Sequence, residues 1–258
     1  MKQFRRTDFL MDDCPSITDI LKKVRTTAML LAAILLPHWS AAAETWGGSL
    51  AITSDYLVRG ISRSNQDPVP QADLHVATDD GFIGGVFASG AQFDSGDQRS
   101  AELSAFLGHA WQLNDAWRAK LLASYYGYLH SDSGSQYNYA ELGFEAAFDD
   151  WLNIDAVFSP DAPRYVSGRG LSGVVDKTAE ISIRTPWNHW VAATAGVGYS
   201  EYSGTGGGGY AYWSAGGVFD LAPWSMSLAY VNTNAEAAAL FFSEAAHNRW
   251  VATVIWRF

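Results

Sequence analysis

With 258 residues, 48% of them hydrophobic, and no long uninterrupted apolar run, the chain has room for one large β domain or two small ones, in either a soluble or a membrane class. Its 27 acidic against 17 basic residues argue against a nucleic acid or another polyanion as partner. Cys14 is the only cysteine, so an exported form has to hold itself together by backbone hydrogen bonding and packing rather than by disulfides.

The N-terminus predicts export. Lys22, Lys23 and Arg25 precede an apolar run from Ala28 to Leu36, and small residues follow at Ala41 and Ala43, the pattern of a secretory signal peptide cut after Ala43. That run is far shorter than the roughly 20 residues a spanning helix needs. Met1 to Leu21 is long for the start of such a peptide and holds acidic residues, which fits translation beginning further in. Residues 1–43 are therefore read as N-terminal extension plus signal peptide, and 44–258 as the mature domain. Of the 17 basic and 27 acidic residues, six and four fall in residues 1–43, leaving 11 against 23 and a net charge of −12.

The mature chain alternates with a period of two throughout and predicts no long helix. "SLAITSDYLVRGISRSN", Ser49 to Asn65, sends Leu50, Ile52, Tyr56 and Val58 to one face and Ser49, Thr53, Asp55 and Arg59 to the other. A hairpin turning near residue 65 would set Asp55 beside His75, Leu57 beside Asp73 and Arg59 beside Gln71. Further on, Trp117, Ala119, Leu121, Ala123 and Tyr125 oppose Arg118, Lys120, Leu122, Ser124 and Tyr126. Leu142, Phe144, Ala146 and Phe148 oppose Glu141, Gly143 and Glu145, and Leu152, Ile154, Ala156 and Phe158 oppose Asn153 and Asp155. The split returns in Ala179, Ile181 and Ile183 against Glu180, Ser182 and Arg184, and in Met226, Leu228 and Tyr230 against Ser225 and Ser227. At the end, Trp250, Ala252, Val254, Trp256 and Phe258 oppose Arg249, Val251, Thr253, Ile255 and Arg257.

A soluble sandwich with its apolar face inward would give the same alternation. Loop lengths separate the two readings. Five tight connections, near Asp79-Asp80, Asn114-Asp115, Asp149-Asp150, Trp187-Asn188 and Ala222-Pro223, alternate with six longer ones near 62–67, 94–98, 131–136, 163–175, 203–208 and 235–246. Strict alternation of short turns and long loops is the layout of an up-and-down outer-membrane barrel. Trp111, Trp117, Trp151, Trp187, Trp190, Trp224 and Trp256 fall near the short turns, and Tyr56, Tyr125, Tyr126, Tyr199, Tyr202 and Tyr230 nearer the other ends, as two interfacial belts would require. The last strand ends on Phe258 with Trp256 behind it, the kind of terminal aromatic signal that barrel insertion machinery reads by strand pairing. The predicted fold is all-β: a transmembrane up-and-down antiparallel β-barrel, most simply of 12 strands, in the outer membrane. Charges of the opening stretch then face a polar lumen rather than lipid.

"TSDYLVRGISRSNQDPVPQADL", Thr53 to Leu74, resembles the N-terminal signature of the TorF-type family of proteobacterial outer-membrane porins, a Ser-Asp-Tyr-x-x-Arg-Gly-x-Ser stretch followed by Pro-x-x-Gln. Those positions are Ser54, Asp55, Tyr56, Arg59, Gly60, Ser62, Pro68 and Gln71, and similarity continues through "GFIGGVFASG", "ELSAFLGHAW" and "YNYAELGFEAAF". "HVATDD", His75 to Asp80, is more polar than that family's pattern. The resemblance implies a barrel with a porin-like role and names no solute.

The lumen or motif candidates are Asp55, Arg59, Gln71, Asp73, His75, Glu102, Arg118, Lys120, Glu141, Glu145, Asp155, Glu180, Arg184, Arg249 and Arg257. Such mixed charges suit a hydrated passage or a salt-bridged plug equally. Catalysis is not expected: His130 and Ser131 are adjacent and project to opposite faces of a strand, and no Ser-His-acid arrangement stands out. Nor is a metal site, since no cysteine remains and no histidines are closely spaced; "DSGDQ", Asp94 to Gln98, lacks the ligand count of an EF-hand loop. The glycine run Gly204 to Gly209 lacks the lysine of a phosphate-binding loop and reads as a flexible connection. "NAEAAALFFSEAAHN" predicts either a short helix in the last loop, as lid or constriction, or an extended strand tip. The expected function is passive diffusion of small hydrophilic solutes or ions through a monomeric channel without cofactors, with a closed structural or adhesion barrel as the alternative. Its partners would be outer-membrane lipid and lipopolysaccharide, the insertion machinery through Trp256 and Phe258, and the solutes.

Overall fold

The computed structural model describes residues 44–92, 100–129, 138–166, 169–203, 207–241 and 244–258. The expected signal peptide, the loops near 94–98 and 131–136, and the His130-Ser131 pair lie outside the described residues. Strands β1 (Glu44–Thr53), β2 (Leu57–Val58), β3 (Ile61–Ser62), β4 (Val69–Thr78), β5 (Phe82–Ala91), β6 (Ser100–Gln112) and β7 (Trp117–Leu129) are followed by β8 (Tyr139–Phe148), β9 (Leu152–Val166), β10 (Arg169–Pro186), β11 (Val191–Ser203), β12 (Gly208–Leu221), β13 (Trp224–Thr233), the helix α1 (Ala235–Leu240) and β14 (Arg249–Arg257). All strands but β2 and β3 form one closed antiparallel barrel in which sequence neighbours pair and β14 returns to β1, twelve strands in all.

The alternation predicted from sequence becomes the two faces of this wall. On β7, β8 and β9, Leu121 pairs with Phe144 and Ala123 with Leu142, while Phe144 pairs with Ala156 and Ala146 with Ile154, all on one face. That face is the outside, where Leu50, Ile52, Ile181, Val197 and Leu228 are each at least half exposed. A soluble sandwich would bury these side chains. A lipid-facing band leaves them on the surface, and closure satisfies the backbone groups that hydrocarbon cannot.

Tight turns are built from the residues the sequence supplies there. Asn114 accepts hydrogen bonds through Oδ1 from the backbone N–H of Ala116 (3.0 Å) and Trp117 (2.9 Å). Asn188 does the same for Trp190 (2.8 Å) and Val191 (2.9 Å), so each asparagine reverses the chain just ahead of an outer strand face. Trp46, Trp111, Trp151, Trp187, Trp190, Trp224 and Trp256 are exposed at this end, and Trp117 packs edge-on against Phe148 at 5.0 Å. Tyr125, Tyr199, Trp213 and Trp250 are exposed near the opposite end. The belts are present, but Tyr56, Tyr126 and Tyr202 are not in them: Tyr202 is buried, and Tyr126 stacks on the inward Tyr139 at 4.5 Å.

The seam that closes the ring is short. β1 and β14 share five residue pairs, from Ser49 with Arg257 to Thr53 with Thr253. Phe258 extends it, donating its N–H to the Gly48 carbonyl (3.0 Å) and accepting from the Gly48 N–H (3.1 Å). Its ring lies directly over Gly48, where a Cβ would come within 2.7 Å of it. Glycine at position 48 is thus what lets the terminal aromatic dock.

Two expectations fail here, and one left open is decided. β1 pairs with β4 so that Ser49 opposes Asp73, Gly47 opposes His75 and Ala51 opposes Gln71, which displaces the predicted pairs of Asp55, Leu57 and Arg59. The reason is that the wall strand stops at Thr53 and residues 54–68 leave it, taking Tyr56 and Val58 off the lipid face. The long loop expected over 163–175 is mostly strand, with register shifts between Leu171 and Val174 and between Val174 and Asp176. In the last loop, helix rather than strand tip is realised, as α1.

Candidate functional site

Residues 54–68 fold into the barrel as a small hairpin. Thr53 Oγ1 donates to the Asp55 carbonyl (2.8 Å), turning the chain off the wall, and the backbone N–H of Arg63 donates to the Tyr56 carbonyl (2.7 Å). β2 and β3 pair through Leu57 with Ser62 and Val58 with Ile61, leaving Arg59 and Gly60 as the two-residue turn. Both have positive φ, 53° and 78°, the backbone signature of a type I′ hairpin. Gly60 suits it. Arg59 does so at a cost of order 1 kcal/mol, so its side chain has to be wanted at the tip.

That side chain crosses the lumen. Arg59 Nη2 meets Glu141 Oε1 on β8 and Nη1 meets Asp176 Oδ2 on β10, both at 2.6 Å. β8 and β10 flank β9, the strand opposite the β1–β4 junction from which the hairpin springs. Burial opposes the charge on Arg59, but Glu141 and Asp176 outweigh it and hold the guanidinium protonated more firmly than an ordinary arginine. Asp176 also accepts from Ser200 Oγ (2.7 Å), and Tyr210 donates its hydroxyl to the Arg59 carbonyl (3.1 Å).

Asp55 organises the base of the hairpin. Its Oδ1 accepts from Ser62 Oγ (2.6 Å) and Ser64 Oγ (2.9 Å), and its Oδ2 from Arg249 Nη1 on β14 (2.7 Å). Arg249 further donates to the carbonyls of His247 (2.8 Å), Glu244 (3.0 Å) and Ala245 (2.9 Å), tying the hairpin to the last loop. On the β6–β7 side, Tyr56 donates to Glu102 Oε1 (2.7 Å) and Tyr128 to Glu102 Oε2. Arg63 bonds the Tyr128 hydroxyl (3.0 Å) and lies over the Tyr139 ring at 5.8 Å. Above these, Ile61 packs in one buried cluster with Tyr202, Tyr210, Tyr212 and Ala237 of α1, and Phe241 meets Tyr210 edge-on at 5.4 Å. Hairpin and last loop together make a cap over this end of the lumen.

The other half of the lumen carries charges without such a cap. Lys120 pairs with Glu145 (2.6 Å), and Glu145, Asp155 and Glu180 stand opposite one another on consecutive strands. Glu180 accepts from the Tyr212 hydroxyl (2.8 Å). Arg184 and Arg257 share Asp220 at 2.8 and 3.8 Å, and Arg118 meets Asp150 at the rim (3.1 Å). Asp73 and His75, neighbours on one face of β4, are 2.6 Å apart, and Gln71 donates to Ser89 (3.2 Å). Two cavities open here. One of 450 Å³ is lined by Arg118, Lys120, Glu145 and Arg184, and one of 180 Å³ by Lys120, Glu141, Glu145 and Asp155.

The lumen and motif candidates sort into two groups, while Trp256 and Phe258 stand on the outer face. Asp55, Arg59, Glu102, Glu141 and Arg249 belong to the cap. Lys120, Glu145, Asp155, Glu180, Arg184 and Arg257 line the lower lumen with Gln71, Asp73 and His75, and Arg118 stands at its rim. Sequence reasoning missed Asp176, Asp220, Arg63 and the tyrosine collar. Asp176 shares parity with Glu180 and Arg184, but the alternation was followed only from Ala179 onward, after the loop expected over 163–175. Among the described residues no three His, Cys, Asp or Glu side chains are placed to hold a metal ion.

Comparison with solved structures shows the same fold. The NanC porin matches with a TM-score of 0.52 at 9% identity, covering 82% of this chain and 98% of that one. The KdgM porin in complex with disordered oligogalacturonate matches with a TM-score of 0.50 at 11% identity, covering 83% and 99%. No curated protein matches the sequence. A family model does, over residues 39–258, and the chain belongs to that family, Gcw_chp, bacterial proteins of unknown function.

Proposed function

We propose that the protein is an outer-membrane channel for passive diffusion of small hydrophilic solutes or ions, of the TorF porin type, exported by its N-terminal signal peptide and inserted as a monomer through its last strand. Passage makes and breaks no bond; size and lumen charge select. The observation that carries this reading is the way the hairpin is held. Its inner part, from Asp55 to Ile61, is tied to the wall by side chains rather than by a strand ladder, above a charged lumen that holds cavities of 450 and 180 Å³. A barrel meant only to be filled would be expected to close that space with its own wall side chains.

In the lower lumen, Asp73, Glu145, Asp155, Glu180 and Asp220 outnumber Lys120, Arg184 and Arg257, which favours cations. The test is single-channel recording of refolded protein in a planar bilayer with a salt gradient. Small discrete steps with a cation-selective reversal potential are expected. The tight cap also favours a second reading, a closed barrel acting through its loops, and silence from demonstrably folded protein would establish that one instead.

A further inference from the structure

The wall site that grips Arg59 is suited to a guanidinium from any source. Glu141 and Asp176 each present one oxygen at 2.6 Å to a different terminal nitrogen, a fork matched to a planar cation with in-plane donors. A compact ammonium cannot address both carboxylates in this way, and an anion is repelled. Glu141 also lines the 180 Å³ cavity on the open side of the fork, so free space adjoins the carboxylate that Arg59 occupies. Glu145 and Asp155 line the same cavity, and Glu180 pairs with Asp155 on the next strand, so the space beside the fork is bordered by carboxylates that attract a cation.

We infer that the Glu141–Asp176 fork is the recognition site of the channel for solutes bearing a guanidinium or amidinium group, and that Arg59 is a tethered stand-in which such a solute displaces. The inference rests on the channel reading. Exchanging one guanidinium for another leaves the charge within the fork unchanged, so displacement avoids the large penalty of stranding two carboxylates. The tether acts as a competing ligand at an effective concentration in the millimolar range, which sets the solute concentration needed to open the cap.

The experiment reads binding without current, by calorimetric titration of agmatine into the refolded barrel in detergent micelles. Arg59→Asn vacates the fork while putting a residue that favours this turn at its first position; Arg59→Gly serves the same purpose should the first variant fold poorly. Both should bind agmatine at least about tenfold more tightly than the wild type, because the tethered competitor is gone. Adding Glu141→Gln should abolish the gain, and choline, a cation without N–H donors, should not bind in any variant. Equal agmatine affinity in Arg59→Asn and wild type, or binding of choline as tight as agmatine, would overturn the inference. Silence in the planar bilayer with agmatine binding intact would overturn only the channel reading.

Discussion

Asp55→Asn separates the attachment of the hairpin from the stability of the barrel. The asparagine keeps an oxygen for Ser62 and Ser64, but it turns an amide toward Arg249 Nη1 where a carboxylate oxygen stood at 2.7 Å. Both side chains of that ion pair are less than a tenth exposed. Removing one partner of such a pair costs about 3–5 kcal/mol. Arg249 retains three carbonyl acceptors in the last loop, so about 2–3 kcal/mol is the better figure here. The population with the hairpin released should then rise roughly 30- to 140-fold, at tenfold per 1.4 kcal/mol. Trypsin reports it directly, because Arg59 and Arg63 lie on the hairpin inside the barrel and cutting follows the open population when opening is fast. The twelve-strand wall does not use Asp55, so the denaturant midpoint should stay within error of the wild type. Unchanged trypsin resistance alongside an unchanged midpoint would show that the Asp55–Arg249 pair does not hold the hairpin. A fall in both together would show that hairpin and wall form one cooperative unit.

Two further expectations concern the wall. Gly48→Ala, whose Cβ would sit 2.7 Å from the Phe258 ring and 2.8 Å from the Asp73 carbonyl, should lower stability by about 1–3 kcal/mol in denaturant titrations. Gly127→Ala, whose nearest contact is 3.7 Å, should move the midpoint little, and equal shifts would refute the role given to the seam. Ile181→Arg on the lipid face of β10 should cost about 2–4 kcal/mol in vesicles, whereas Ser227→Arg, pointing into the lumen, should cost far less. Equal costs would mean that inner and outer faces are assigned wrongly.

The barrel wall was legible because lipid demands an apolar outer face, and that demand imposes a period of two on every strand from Trp117 to Arg257. The hairpin was not, because an inward hairpin alternates just as a wall strand does. "LVRGIS" did carry a signal: a two-residue turn flanked by the β-branched Val58 and Ile61, with glycine at its second position. Reading it would have ended β1 at Thr53 and released Asp55 and Arg59 from a wall register. Tyr126 shows a different limit. Its own alternation with Arg118, Lys120 and Ser124 put it on the polar face, yet its place near a strand end suggested the belt, and in the structure parity outweighs position. The partners of Arg59 lie 82 and 117 residues away along the chain, so only closure of the ring brings them together.

The signature Ser-Asp-Tyr-x-x-Arg-Gly-x-Ser gains a structural meaning from this arrangement. Ser54 Oγ accepts from the Ala252 N–H (3.0 Å) and pins the point where the chain leaves the wall. Asp55 gathers Ser62, Ser64 and Arg249; Tyr56 reaches Glu102; Arg59 crosses to Glu141 and Asp176; Gly60 allows the reversal. A wall strand would constrain only alternate residues, those on its inner face. Here consecutive residues Ser54, Asp55 and Tyr56 each make a distinct contact, as expected of a segment surrounded on all sides. The motif therefore encodes a cap rather than a register, and it does so with charges because the lumen is the one place in a membrane barrel where charged side chains can be satisfied. Polar contacts that hold an inner segment without a backbone ladder can also be exchanged one at a time, which is what the proposed displacement of Arg59 requires.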